Sequence, residues 1–126
     1  MKFEENILEA KFKINSYTNS SVTINKQKYN KSLIIYQDDI FIDWELQDIN
    51  KLSLPDLNLL NKYNPELIIL STGDVSTYPT KNSLTLLYNS KIPFEIMNTA
   101  SACRTYNLLV NDNRNIAVGI IINDNN

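Results

Sequence analysis

The sequence has no histidine among its 126 residues, and it has only one cysteine, two glycines and four prolines. Without histidine the chain cannot build a Ser-His-Asp triad, a Cys-His pair or a metal site with imidazole ligands. One cysteine cannot form an internal disulfide, and there is no cysteine pair to bind zinc. We therefore expect neither a metal site nor a cofactor, and the commonest forms of nucleophilic catalysis are excluded.

The net charge is also small, because 12 Lys and Arg residues stand against 14 Asp and Glu residues. Acidic and basic residues look interspersed along the sequence, without the basic stripe that nucleic-acid binding requires. We therefore expect no nucleic-acid partner. No segment approaches the roughly 20 apolar residues of a membrane span. The N-terminal segment has the pattern of neither a secretory signal nor a transit peptide. Together these absences predict a cytoplasmic protein without a membrane span.

The composition is that of an ordinary folded protein, with 43% hydrophobic and 21% charged residues. A chain of this length fits one domain. No linker, repeat or low-complexity boundary interrupts it. We expect a single domain over residues 1–126, with a frayed tail at about 123–126.

The first third of the chain alternates apolar and polar residues, which predicts short antiparallel strands. Such segments lie at residues 21–25, 32–36 and 40–44. Asn25 and Lys26 can turn the first pair, and residues 37–39 can turn the second. The result is an antiparallel meander with one buried face, in which Trp44 is a core anchor. Residues 1 to about 16 fit either a helical turn or an edge strand.

From residue 50 onward, helical and strand patterns alternate. Predicted helices cover residues 53–64, with Ser53 as the N-cap, then 80–91 and 99–112. Predicted strands follow each helix, at residues 66–71, 92–98 and 115–122. This α-β-α-β-α-β order favours parallel strands joined by right-handed crossovers. We therefore expect an α/β fold with a mixed central sheet, parallel β-α-β units and the N-terminal antiparallel meander.

A ligand crevice is predicted where the carboxyl ends of strands 67–71 and 92–97 meet, because open α/β sheets bind ligands there. Loops 71–79 and 98–104 form its walls. The second loop runs into a helix whose free N–H groups could hold an anion. The candidate ligand-binding residues are Thr72, Gly73, Asp74, Thr99 and Arg104.

Each of these candidates also has an ordinary structural interpretation. Thr72, Asp74 and Thr99 are typical capping residues. Gly73 alone is not a phosphate loop, which needs a second glycine followed by lysine. Asp74 adds negative charge and so opposes simple anion binding. Only Arg104 supplies positive charge at this corner.

Cys103 is the only candidate nucleophile, and it too has two interpretations. It lies on the apolar stripe of the helix beside Ala102 and Tyr106, which is typical of a small core side chain. Alternatively, the helix N-terminus and Arg104 could lower its pKa and make it a reactive thiol. We count it as a weak catalytic candidate, and we identify no other catalytic residue.

Two segments resemble a known family. "PELIILSTGDVSTYP" and "IPFEIMNTASACRTYNLL" are similar to the Mth-like domains of unknown biochemical function. That family includes mitochondrial complex I assembly factor three, the adipogenesis-associated Mth-like domain protein and many bacterial proteins. The resemblance covers about residues 14–122 and is most specific in the segment from Cys103 to Asn107. Two positions depart from the family pattern, since Ser71 replaces a glycine and Asn98 replaces an aspartate.

The resemblance implies a three-layer α/β fold around a mixed sheet, with the N-terminal strands packed against it. It implies assembly-factor behaviour in one branch and no established reaction. Our first hypothesis is therefore a non-enzymatic binding or assembly protein with a protein partner. The alternative is a protein or enzyme that binds a small anionic ligand in the crevice of loops 71–79 and 98–104.

Overall fold

Two β-sheets and three α-helices form the fold within residues 10–73 and 78–123, the part of the chain that the computed structural model describes. The strands are β1 (Ile14–Thr18), β2 (Ser21–Ile24), β3 (Gln27–Tyr29), β4 (Leu33–Ile35), β5 (Ile40–Phe41), β6 (Leu67–Ser71), β7 (Phe94–Met97) and β8 (Ile116–Ile120). The helices are α1 (Leu54–Leu60), α2 (Lys81–Ser90) and α3 (Thr99–Asn111), and a short 3₁₀ helix spans Ile49–Lys51.

The strands β1, β2 and β3 form an antiparallel sheet of their own. The predicted turn at Asn25 and Lys26 is present, and both residues have the positive φ, 50° and 72°, that a two-residue hairpin turn requires. However, it joins β2 to β3, so the expected pairing of residues 21–25 with 32–36 was wrong. The strand β3 was missed because it is short and its first two residues, Gln27 and Lys28, are exposed.

The larger sheet has the strand order β5-β4-β8-β6-β7. Its strand β6 runs parallel to both β7 and β8, whereas β4 is antiparallel to β8 and to β5. The predicted mixed sheet with parallel β-α-β units is therefore confirmed. So is the hairpin across residues 37–39, in which Ile35 pairs with Ile40. Residues 14–18 are an edge strand, while residues 1–9 lie outside the described residues.

Alternate residues of the larger sheet face two separate cores. One core lies under α3 and the three-stranded sheet and contains Ile69 and Val118. The other lies under α1, α2 and the 3₁₀ helix and contains Ile68 and Leu70. The layers are therefore α1 with α2, the five-stranded sheet, and α3 with the three-stranded sheet. This is the three-layer α/β fold that the family resemblance implied.

Trp44 is buried in the second core, as expected, with 3% of its surface exposed. A Cβ atom at Gly119, in β8, would lie 2.8 Å from the Trp44 ring, so only glycine fits there. The Trp44 Nε1–H donates to Asp56 Oδ1 at 2.9 Å. The other oxygen of Asp56 accepts from the backbone N–H of Ser53 at 2.9 Å, which completes the capping box of α1. The core is thereby tied to the first turn of α1.

Helix α1 begins after Ser53, as predicted, but it ends at Leu60 and not at Asn64. Asn64 has a φ of 52°, outside the right-handed helical region, and it precedes Pro65. A residue before proline is disfavoured in the helical conformation, so the helix cannot continue through Asn64. From Lys62 onward the chain already makes i→i−3 turns, with the Lys62 N–H donating to Leu59 O at 3.2 Å.

Candidate functional site

The two loops predicted to form a crevice do meet at one edge of the larger sheet. Ser71 and Met97 are paired at the carboxyl ends of the parallel strands β6 and β7. The Thr72 N–H donates to Met97 O at 3.1 Å, and the Thr99 N–H donates to Gly73 O at 2.6 Å. The structure thus brings Thr72, Gly73 and Thr99 together. Asp74 lies outside the described residues.

The first turn of α3 uses most of its polar groups internally. Asn98 caps the helix, since its Oδ1 accepts from the Ser101 N–H at 2.8 Å. The buried hydroxyls of Ser71 and Thr99 lie 2.9 Å apart and are hydrogen-bonded. Two of the first three N–H groups of α3, those of Thr99 and Ser101, already have acceptors. An anion at this end of α3 therefore finds fewer donors than the sequence suggested.

The two departures from the family pattern take part in these contacts. Asn98 supplies the capping oxygen that an aspartate would supply, without its charge. Ser71 supplies the hydroxyl that bonds Thr99. Both substitutions therefore support the start of α3.

Arg104 lies on the solvent-exposed face of α3, about 1.7 turns beyond the cap. Its Nη2 is 3.4 Å from the Ser101 hydroxyl oxygen. Its guanidinium group is therefore available to solvent beside Ser101.

Cys103 is in the core, with 3% of its surface exposed. Burial raises the pKa of its thiol to about 12, and the nearby charge of Arg104 only partly opposes this effect. The apolar stripe predicted for α3 is present, because Ala102, Tyr106 and Val110 are buried beside it. The thiol is therefore in the environment of a core side chain and not in the exposed, electropositive one of a reactive cysteine.

Two residues of the family segment have a role that sequence reasoning missed: they hold β1 against α3. The Asn107 side chain bonds Ile14 twice, accepting from its N–H at 3.1 Å and donating to its C=O at 2.9 Å. The Tyr106 hydroxyl donates to Phe12 O at 2.8 Å. The Asn107 amide thus satisfies the two backbone groups of Ile14 that a strand on that side of β1 would otherwise bond. The only signal in the sequence was the resemblance of the segment itself.

No group of three or more Cys, Asp or Glu side chains within the described ranges could hold a metal ion. The same part of the chain has no helix that is long and apolar enough to cross a membrane.

The chain is similar to several known proteins. A family model described as "Protein of unknown function (DUF498/DUF598)" matches residues 14–121. The "13 kDa major membrane protein" of Francisella tularensis subsp. holarctica is 30% identical, covering 96% of this chain and 99% of that protein. The Xenopus tropicalis "NADH dehydrogenase (ubiquinone) 1 alpha subcomplex assembly factor 3" is 26% identical over 86% of this chain, which spans only 60% of that relative.

Solved structures show the same fold. A Xanthomonas campestris protein solved by NMR has a TM-score of 0.80 at 23% identity, covering 100% of this chain and 96% of that one. A Bordetella pertussis protein described as an Mth938-like domain has a TM-score of 0.71 at 17% identity, covering 97% and 92% of the two chains. An outer membrane protein of Bartonella henselae has a TM-score of 0.71 at 21% identity, covering 94% and 98%.

Replacing Asn107 tests whether its two hydrogen bonds to Ile14 stabilise the attachment of β1 to α3. We expect Asn107→Ala to lower the free energy of unfolding by about 1 to 3 kcal/mol, because it leaves the N–H and C=O groups of Ile14 without their partner. Asn111→Ala is the matched control, since Asn111 is exposed one turn further along α3. We expect that control to change stability by less than about 0.5 kcal/mol. Urea denaturation measures the free energy of unfolding of both variants. Equal losses in the two would contradict a stabilising role of the Asn107 hydrogen bonds.

The state of Cys103 can be tested by alkylation. With a pKa of about 12, roughly 10⁻⁴ of the thiol is ionised at pH 8. We expect iodoacetamide to react at least about a hundredfold more slowly with the native protein than with the protein unfolded in urea. The rate should rise with pH, because the thiolate is the reacting species. A native thiol that reacts as fast as the unfolded one near neutral pH would restore the reactive-thiol hypothesis.

Proposed function

Because the chain belongs to the DUF498/DUF598 family of Mth-like domains, whose function is unknown, we propose that it is a non-enzymatic binding protein that assembles with a protein partner. It acts as a single Mth-like domain. The observation that carries this proposal is the likeness to the relative named an assembly factor. Two features of the chain support it. Cys103 is buried with a raised pKa, and Tyr106 and Asn107 are engaged in holding β1.

The surface that best fits a protein partner lies beside β7, the last strand in the order of the larger sheet. Its outer edge carries backbone groups that can pair with an added strand. Tyr88, on α2, is 66% exposed. Its ring contacts that of Phe94, in β7, edge-to-face with 5.1 Å between the ring centres. An exposed tyrosine held by a second ring is typical of the residues that dominate protein interfaces.

Native mass spectrometry of the protein, purified gently at low salt from its own host, tests this proposal. We expect a partner in fixed stoichiometry. Tyr88→Ala should weaken binding of the partner at least about tenfold, because truncating a hot-spot tyrosine costs about 2 kcal/mol or more. Leu108→Ala is the matched control, since Leu108 is also 66% exposed but lies on α3. Cys103→Ser should keep the partner.

Two results would count against this role. One is the absence of any stoichiometric partner. The other is an equal loss of the partner in Tyr88→Ala and Leu108→Ala, since that would place the effect outside the β7 surface. Circular dichroism of each variant separates loss of binding from loss of folding.

The alternative function is binding of a small anionic ligand by Thr72, Gly73, Thr99 and Arg104, together with Asp74, which the sequence predicts as a fifth ligand residue and which lies outside the described residues. Two observations favour it. A Cβ atom at Gly73 would meet no heavy atom of the described residues within 4 Å. Arg104 is exposed on α3, with its Nη2 3.4 Å from the Ser101 hydroxyl oxygen. The two N–H groups of α3 that already have acceptors weigh against it.

A thermal-unfolding screen of anionic metabolites tests the alternative. A ligand at 100 times its dissociation constant should add about 2.7 kcal/mol to the stability of the protein. Arg104→Ala should abolish the shift, whereas Lys91→Ala, which removes an exposed charge next to α2, should keep it. A screen without any shift, or a shift that survives in Arg104→Ala, would contradict this function.

A cytoplasmic location is part of the same proposal. It is supported by the single cysteine, which is buried and unpaired. The names of the Francisella and Bartonella proteins refer to membranes and point the other way. Fractionation of the host cell into cytosol and membranes decides between them.

A further inference from the structure

Within residues 10–37 the charges are not interspersed, contrary to the pattern expected from the sequence, whereas residues 1–9 contain one lysine and three glutamates. Residues 10–37 contain five lysines and no Asp or Glu, a net charge of +5. The remainder of the chain has 7 Lys and Arg against 14 Asp and Glu, a net charge of −7. All five lysines are exposed, and none forms an ion pair with a described carboxylate.

Four of these lysines are brought together by the β2–β3 turn. The Asn25 N–H donates to Lys13 O at 3.0 Å, and the Lys13 N–H donates to Asn25 Oδ1 at 2.9 Å. The Asn25 side chain also donates to Lys11 O at 2.9 Å. Lys26 and Lys28 follow directly in the turn and in β3. The fifth, Lys31, lines a separate cavity with Asp43 and Glu45, which offset its charge.

Between this turn and α3 lies a groove of about 550 Å³, which we call the lysine groove. Its lining residues are Ala10, Phe12, Lys13, Asn15, Asn25, Lys26, Asn107, Val110 and Asn111. No carboxylate lines it among the residues that the structure describes. Apart from the aliphatic and aromatic contacts, its walls are lysine and asparagine side chains.

The unused hydrogen-bonding groups of the lysine groove are mostly donors. The amides of Asn25 and Asn107 are occupied by backbone groups. Asn15 Oδ1 accepts from the Lys26 N–H at 2.9 Å, which leaves its NH₂ group without a described partner. The Asn111 amide and the ammonium groups of Lys13 and Lys26 also have no described hydrogen-bond partner, so they remain available to a ligand. Ammonium groups donate three hydrogen bonds each and accept none, so the groove is suited to an anion.

The negative end of α3 does not cancel this preference, although Val110 and Asn111 lie near it. Two of the last four carbonyls of the helix are already occupied, since Leu109 O and Val110 O accept from the N–H groups of residues 112–114. The partial negative charge of a helix end resides on unsatisfied carbonyls. Two described carboxylates are near, since the charge of Asp38 reaches Tyr106 and Asp112 follows Asn111, but neither lines the groove. Lys13 and Lys26 are therefore the only charged residues among its described lining.

We propose that the lysine groove binds a phosphate group, carried either by a small soluble phosphate ester or by the headgroup of an anionic lipid. Lysine is a common phosphate ligand and binds phosphate as a point charge, without the fixed bidentate geometry of an arginine. Lys13, Lys26 and Asn111 line the same groove, and several donors around one space suit a tetrahedral group with several oxygens. This site is separate from the corner at Arg104 and from the β7 surface.

Two probes distinguish the sources of the phosphate. Inorganic pyrophosphate is titrated into ¹⁵N-labelled protein, with chemical shifts followed at Asn15, Lys26 and Asn111. Vesicles of phosphatidylglycerol in phosphatidylcholine, and of phosphatidylcholine alone, are used for co-sedimentation. The test variant is Lys13→Gln/Lys26→Gln. The control is Lys51→Gln/Lys91→Gln, which removes the same charge from exposed positions away from the groove.

We expect at least one anionic probe to bind, and the double groove variant to bind it about tenfold more weakly or worse, because it lacks both charged donors. The control and Arg104→Ala should keep the affinity. Binding of pyrophosphate identifies a soluble ester, and binding of anionic vesicles alone identifies a lipid headgroup. Binding to neither probe, or an equal loss in the groove variant and the control, would overturn the proposal.

Discussion

The parallel pairing of β6 with β7 and β8 is the constraint on which the other elements depend. Ile68, Ile69 and Leu70 are completely buried, so β6 has an apolar neighbour on each face. A strand of this kind is stable only when both faces of its sheet are covered. Helices α1 and α2 cover one face, and α3 covers the other together with the three-stranded sheet. The carboxyl ends of β6 and β7 therefore coincide, and α3 begins directly beside them.

The small sheet is attached to this framework by polar side chains as well as by its apolar face. Asn107 and Tyr106 bond the backbone around Ile14 and Phe12, and Asn25 bonds the same segment from the β2–β3 turn. Such bonds are directional, and they fix the position of the chain where apolar contacts alone would allow it to slide. Within the segment that most resembles the family, Tyr106 and Asn107 thus have an architectural role.

The same attachment creates the features of functional interest on the α3 side. Holding residues 11–13 beside the β2–β3 turn collects lysines that are distant in sequence, and it leaves a groove between them and α3. At the other end of α3, the Ser101 N–H bonds the Asn98 cap, and the hydroxyls of Ser71 and Thr99 bond each other. These polar groups were expected from the sequence to be available to a ligand. The balance of unused donors therefore favours the lysine groove over the predicted crevice.

The sequence alone determined the order of helices and strands from residue 50 onward, the parallel sheet and the buried stripe of α3, because these follow from local periodicity. It also determined the family, through the segment from Cys103 to Asn107. Pairing of the N-terminal strands was decided only by the tertiary structure, since β3 is too short and exposed to show a pattern. The tertiary structure also decided which partner each polar side chain bonds. Whether an amide such as that of Asn107 meets a ligand or a backbone 93 residues away depends on packing between distant segments, which no local pattern encodes.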